Sequence, residues 1–189
     1  MRKLPYRIPL MTVMVAALLI GCSMDYDQVR VAEEISADTP ETIIMDFTHT
    51  VVRNGRRAFS IQAEVSRSFP ERNEQLMEGI YFVEFDSEEE IVTEGIADRA
   101  VLFTDTENVE IYEDIEFYTV REEAGLSADY LFWNDEERTL TSRPDAEVTL
   151  RRDDGSSVGG HGFRADMKYK TMSFERDVQG VYVSEDDDE

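Results

Sequence analysis

The stretch Phe59-Ser60-Ile61-Gln62-Ala63-Glu64-Val65-Ser66 alternates apolar and polar side chains with a period of two. Successive side chains of a strand point to opposite faces, so the pattern predicts a strand with one apolar and one wetted face rather than a helix. Downstream, Tyr81, Val83 and Phe85 alternate around Glu84. Further alternating or β-rich runs cover Val109–Ile111, Ile115–Val120, Leu126–Phe132, Ala146–Leu150, Phe163–Tyr169 and Val181–Val183. Arg53-Asn54-Gly55, Trp133-Asn134-Asp135 and Asp153-Asp154-Gly155 stand between such runs as turn signals. The expectation is one all-β, antiparallel domain over residues 42–183.

A small residue followed by an acid recurs at Ala63-Glu64, Ala97-Asp98, Ala128-Asp129 and Ala165-Asp166, at intervals of 34, 31 and 37 residues. Each pair is followed by a second strand-like run, beginning near Ile80, Ile115, Ala146 and Val181. This is the pattern of stacked long hairpins. Alternation with one charged and one apolar face implies a sheet folded over an apolar inner face. Such a sheet ends in open edges, where another strand can add.

Upstream of the domain stand Arg2, Lys3 and Arg7, an apolar run from Ile8 to Ile20, then Gly21 and Cys22. The run is 13 residues long, short of the roughly 20 that a helix needs to cross a bilayer. The order is that of an export signal over residues 1–21. Leu19-Ile20-Gly21-Cys22 resembles the lipobox of bacterial lipoproteins, which implies cleavage before Cys22 and lipid on its sulfur. Cys22 is the single cysteine of the chain, so no internal disulfide is available to an exported protein. Residues 22–41, polar and ending near Thr39-Pro40, read as a tether, and residues 184–189 as a solvated acidic tail.

The chain of 189 residues carries 19 Lys and Arg against 42 Asp and Glu. Removing residues 1–21 leaves 16 basic side chains, a formal charge of −26 over 168 residues. That charge repels phosphate polymers and anionic lipid surfaces alike, which excludes nucleic acid as a partner. His49 and His161 are the two histidines, and with Cys22 committed to lipid there is little from which to build a nucleophile–base pair or a zinc site. Gly159-Gly160-His161-Gly162 lacks the Lys-Ser/Thr of a phosphate loop and reads as a hairpin turn before a strand. The acidic clusters Asp86–Glu90 and Asp135–Glu137 read as solvated turns, without calcium-loop spacing. No catalytic residue, metal or cofactor is expected.

The ordered elements Asn54-Gly55-Arg56-Arg57-Ala58-Phe59-Ser60-Ile61-Gln62-Ala63-Glu64, Gly95-Ile96-Ala97-Asp98-Arg99-Ala100, Leu126 to Trp133, Arg138 to Ser142 and Gly160 to Asp166 resemble the lipopolysaccharide-export proteins of the LptC type, related to LptA and OstA. The resemblance implies a slightly open β-jellyroll that joins related domains edge strand to edge strand. It also implies a non-enzymatic bridge component that shields the acyl chains of lipopolysaccharide, or a related glycolipid, between an inner-membrane ABC transporter (LptBFG-like) and the outer membrane. The partners it implies are LptA-like periplasmic β-domains and that transporter. With the lipobox, the expected location is the periplasmic face of a membrane, the inner one favoured, with a lipid anchor in place of the family's membrane helix.

By alternation, the residues expected to line an apolar groove are Phe59, Ile61, Tyr81, Val83, Phe85, Ile115, Phe117, Tyr130, Phe132, Val148, Leu150, Phe163 and Met167. The same pattern suits a filled β-sandwich, so a structural or adaptor lipoprotein without cargo is the alternative. An envelope enzyme would need two acids converging in one pocket. The expected edges are the strands near Ile43–Val52 and Phe163–Val183.

Overall fold

A computed structural model describes residues 37–184. Cys22, the export signal, most of the tether and residues 185–189 lie outside the described residues. The strands are β1 (Thr42–Arg53), β2 (Arg56–Phe69), β3 (Glu74–Phe85), β4 (Ile91–Phe103), β5 (Asn108–Thr119), β6 (Ala124–Asn134), β7 (Thr139–Thr141), β8 (Glu147–Arg152), β9 (Ser157–His161), β10 (Arg164–Asp166), β11 (Thr171–Ser173) and β12 (Arg176–Val181). They form one open, antiparallel, jellyroll-like sheet. Strands β1 to β6 pair in sequence order as long hairpins. At β6 the sheet divides. Its C-terminal part, Phe132–Asn134, pairs with β7 and leads to β10 and β11, while Ala124–Ala128 pairs with β8 and leads to β9 and β12.

The turns obey their residues. Asn54 and Gly55 both take positive φ, 53° and 79°, between β1 and β2, as a two-residue primed turn requires. Asp154 Oδ1 accepts the Ser156 amide at 2.7 Å and shapes the turn between β8 and β9. One expectation needs correction. Gly159-Gly160-His161 is not a turn but part of β9, paired on both sides by β8 and β12. The glycines there serve close packing, since a Cβ on Gly160 would stand 3.1 Å from the Arg176 carbonyl oxygen and 3.2 Å from the Phe174 ring. The run Phe163–Tyr169 is likewise shorter as strand than expected, because Asp166 turns the chain by accepting the amides of Lys168 and Tyr169 at 2.9 and 3.0 Å.

The recurring small-acid pair is the crease along which the sheet folds. Ala63, Ala97, Ala128 and Ala165 are buried, while Glu64, Asp98 and Asp129 face solvent. Beside them the backbone departs from regular extension. Asp46, Gly79, Glu113 and Asp114 have positive φ, and the register shifts between Ile96 and Arg99 and between Tyr112 and Ile115. A bulge of this kind bends a strand and inserts one residue into its alternation. Inward residues are three apart at the crease on most strands, Ala97 and Ala100 on β4, Met77 and Ile80 on β3, Ala128 and Leu131 on β6, while β5, which carries the extra residue, has Ile111 and Ile115 four apart. Alanine suits the inside of the bend because a larger side chain would hold the folded layers apart.

Directly paired residues share a face, so the register defines the inner surface. One inner row runs Ile61, Phe82, Gly95, Phe117, Leu126, Leu150, Val158. Beyond the crease, a second runs Ser66, Met77, Ala100, Ile111, Leu131. A third, near the ends of the strands, runs from Thr42 through Ser68, Gln75, Leu102, Val109, Trp133, Leu140 and Ala165 to Met172.

Candidate functional site

The inner face differs along its length. Where the two branches from β6 fold together, Ile115, Leu131, Val148 and Phe163 form a closed cluster with Ala97, Ala128 and Ala165. Leu131 and Val148 are 0% exposed there. Towards β1, a smaller cluster of Ala63, Met77 and Ala100 is flanked by half-buried Phe47, Ile61 and Ile80. Between them a file of rings lies on the inner face. Phe59 and Phe82 are 6.1 Å apart between centroids, and Phe82 meets Phe117 edge-on at 6.4 Å. All three rings are only half-buried. Gly95 makes room for the file, since a Cβ there would lie 1.9 Å from the Phe117 ring.

The register divides the expected groove residues. Phe59, Ile61, Ile115, Phe117, Val148, Leu150 and Phe163 lie inside. Tyr81, Val83 and Phe85 have the opposite register, Tyr81 pairing with Gln62 and Val83 with Ser60, yet Val83 is buried at 5% exposure. The Tyr81 hydroxyl donates to Glu94 at 2.8 Å, and the Arg57 guanidinium covers the Phe85 ring at 4.2 Å. Tyr130 and Phe132 are also outside, because the crease in β6 reverses the alternation after Ala128 and puts Leu131 inward instead. Met167 stands exposed in the turn after β10. Ile80 and Phe82 are the inner residues of β3 that alternation missed. Ile80-Tyr81-Phe82-Val83 is an unbroken apolar run, and the one polar residue beside it misleads, because Glu84 pairs with Phe59 and so shares the inward register.

On the outer face Tyr112 and Tyr130 pack edge-on at 5.2 Å, and Arg143 lies 3.8 Å over Tyr130. Glu110 accepts hydrogen bonds from both hydroxyls. Burial first, then the bond to Glu110, pushes the Tyr112 phenol up to about 12. His49 stacks 6.3 Å from Phe47, and His161 Nδ1 lies 3.5 Å from Asp177. Among the described residues no group of three or more His, Cys, Asp or Glu is arranged to hold a metal. A recess at the hairpin tips, lined by Gly55, Arg56, Ser87, Glu88 and Glu89, is polar and open, the wrong chemistry for acyl chains.

Strand β1 forms one edge of the sheet, and β11 and β12 end its two branches. Ile43, Ile44, Met45 and Val52 of β1 are exposed. The family described as lipopolysaccharide-assembly, LptC-related, matches residues 10–183. The chain belongs to the LptC family. No curated protein matches it at a significant level. The LptC match covers every described strand and extends back into the apolar run before Cys22. Membership gives this LptC-family protein a role in lipopolysaccharide transport in the envelope, with lipopolysaccharide and the Lpt complex as its general partners. The family is periplasmic and associated with the inner membrane. It is a transport-bridge family, not one known for catalysis.

Proposed function

We propose that this LptC-family protein is a non-enzymatic bridge component whose inner face shields acyl chains of lipopolysaccharide, or a related envelope glycolipid, on the way from an inner-membrane ABC transporter to the outer membrane. The observation that carries this reading is the file Phe59–Phe82–Phe117, apolar rings on the inner face left partly exposed. A closed core would bury them. Each methylene moved from water onto such a surface contributes about 0.8 kcal/mol, so chains of fatty-acid length bind without any polar contact. The head group, anionic in lipopolysaccharide, stays outside, away from the exposed acids of the crease.

The exposed edge of β1 and the free edges of β11 and β12 support backbone pairing with LptA-like domains and with the transporter's periplasmic parts. Cys22 carries lipid in this reading, and residues 22–41 tether the domain to the membrane. Growth with radiolabelled fatty acid checks the anchor: label is expected on the native chain and absent from Cys22→Ser, and equal labelling of both rejects it.

The closed cluster around Leu131 and Val148 favours the alternative, an adaptor with a filled sandwich, for that end of the domain. Photocrosslinking in cells decides between them. A photoreactive residue at Phe117 is expected to yield glycolipid adducts, while the same residue at Phe132, across the sheet, yields none. Absence of lipid from Phe117 in a folded, exported chain overturns the conduit in favour of the adaptor, and equal adducts at both positions overturn the assignment of the inner face.

A further inference from the structure

After Lys3 the chain contains two lysines, Lys168 and Lys170, and both sit in the turn between β10 and β11. In a protein with 42 acidic residues this is a local inversion of charge. The same hairpin exposes Met167, Tyr169 and Met172, with Tyr169 78% exposed. Its shape is built in: Asp166 Oδ1 accepts two amides of the turn, Lys170 takes a φ of 54°, and Lys168 Nζ donates to the Glu136 carbonyl at 2.9 Å. A fixed tip that displays a tyrosine, two methionines and two ammonium groups matches the boundary layer of a bilayer. There aromatic hydroxyls and lysine heads stay at headgroup level while apolar atoms go deeper.

We propose that the Met167–Met172 hairpin docks on the phosphate layer of a phospholipid membrane, with Tyr169 and the methionines in the interface and Lys168 and Lys170 paired to lipid phosphates. Position agrees with this. Met172 lies in the same cross-strand row as Thr42, so the hairpin turns at the strand ends from which the preceding chain enters β1. Those ends are also where the segment leading back to Cys22 joins the domain. The net charge opposes a broad approach to anionic lipid, so contact is confined to a tip, within the roughly 8 Å over which charges act at physiological salt.

The orientation rests on the anchor proposed above, and the experiment separates the two. Tyr169→Trp and, as a reference, Tyr182→Trp are made in a Trp133→Phe chain. The full protein is reconstituted in vesicles of phosphatidylethanolamine and phosphatidylglycerol that carry bromine on the acyl chains. Fluorescence at position 169 is expected to be quenched and that at 182 spared, with contact weakened about fivefold for each lysine changed in Lys168→Gln and Lys170→Gln. Equal quenching at both positions, no quenching at 169, or quenching indifferent to the lysines overturns the proposal. So does a shift at 169 that appears without vesicles and grows with protein concentration, which would assign the hairpin to a second copy of the chain. Vesicle flotation reads the anchor separately. Should the chain fail to float, excess brominated vesicles added to the soluble protein give the same readout for the hairpin.

Discussion

The two ends of the inner face are made of similar residues and finish differently. Around β5 to β10, Ile115, Leu131, Val148 and Phe163 are sealed. Around β1 to β3, Phe47, Phe59, Ile61 and Phe82 remain half-open, and β1 exposes much of its apolar surface. The difference is topological. At β6 one strand feeds two branches, and both fold back over Leu131 and Val148. At the other end the sheet stops at β1, with no further strand among the described residues to close over the rings. Apolar content is therefore a poor guide to packing; what decides is whether a second layer exists to cover it.

The sharpest way to break this comparison is truncation at each end. Leu131→Ala leaves a cavity in the sealed cluster and is expected to cost roughly 3–5 kcal/mol in denaturant unfolding. Phe82→Ala removes a larger side chain from the open face, yet is expected to cost only roughly 1–2 kcal/mol, because part of its surface is already solvated. A larger loss for Phe82 than for Leu131 would show that the open end is packed in solution. The smallest expected effect concerns the outer face over the sealed end. Burial and the bond to Glu110 hold the Tyr112 phenol neutral, so the folded state keeps its proton more tightly than the unfolded chain. That stabilisation is complete below pH 10.0 and disappears as pH rises through about 12. The phenolate absorbance of the native protein minus that of Tyr112→Phe should show one residue titrating late; titration at pH 10.0 would mean that this face opens.

The strand class was legible because period-two alternation and the Asn54-Gly55 and Asp154-Gly155 turns are local properties of the chain. The crease was half legible. The repeated Ala-acid pair marked it, but its meaning lies in backbone angles at Asp46, Glu113 and Asp114, residues whose side chains do not announce a positive φ. Missing the crease sent Tyr130 and Phe132 to the wrong face, since inward Ala128 and Leu131 stand three apart there and the alternation beyond Ala128 is reversed. Tyr81, Val83 and Phe85 take the other register for another reason: the run before Glu84 is wholly apolar, and Glu84, the one polar marker, itself pairs with inward Phe59.

What the sequence determined by itself is the antiparallel β architecture, the family and the order of its hairpins, all set by short-range pattern and turn chemistry. What the tertiary structure alone decided is which face of each strand looks inward, where the sheet bends, and which end of the inner surface is sealed. Those depend on register between strands and on the branching at β6, pairings between residues far apart in the chain that no local pattern encodes.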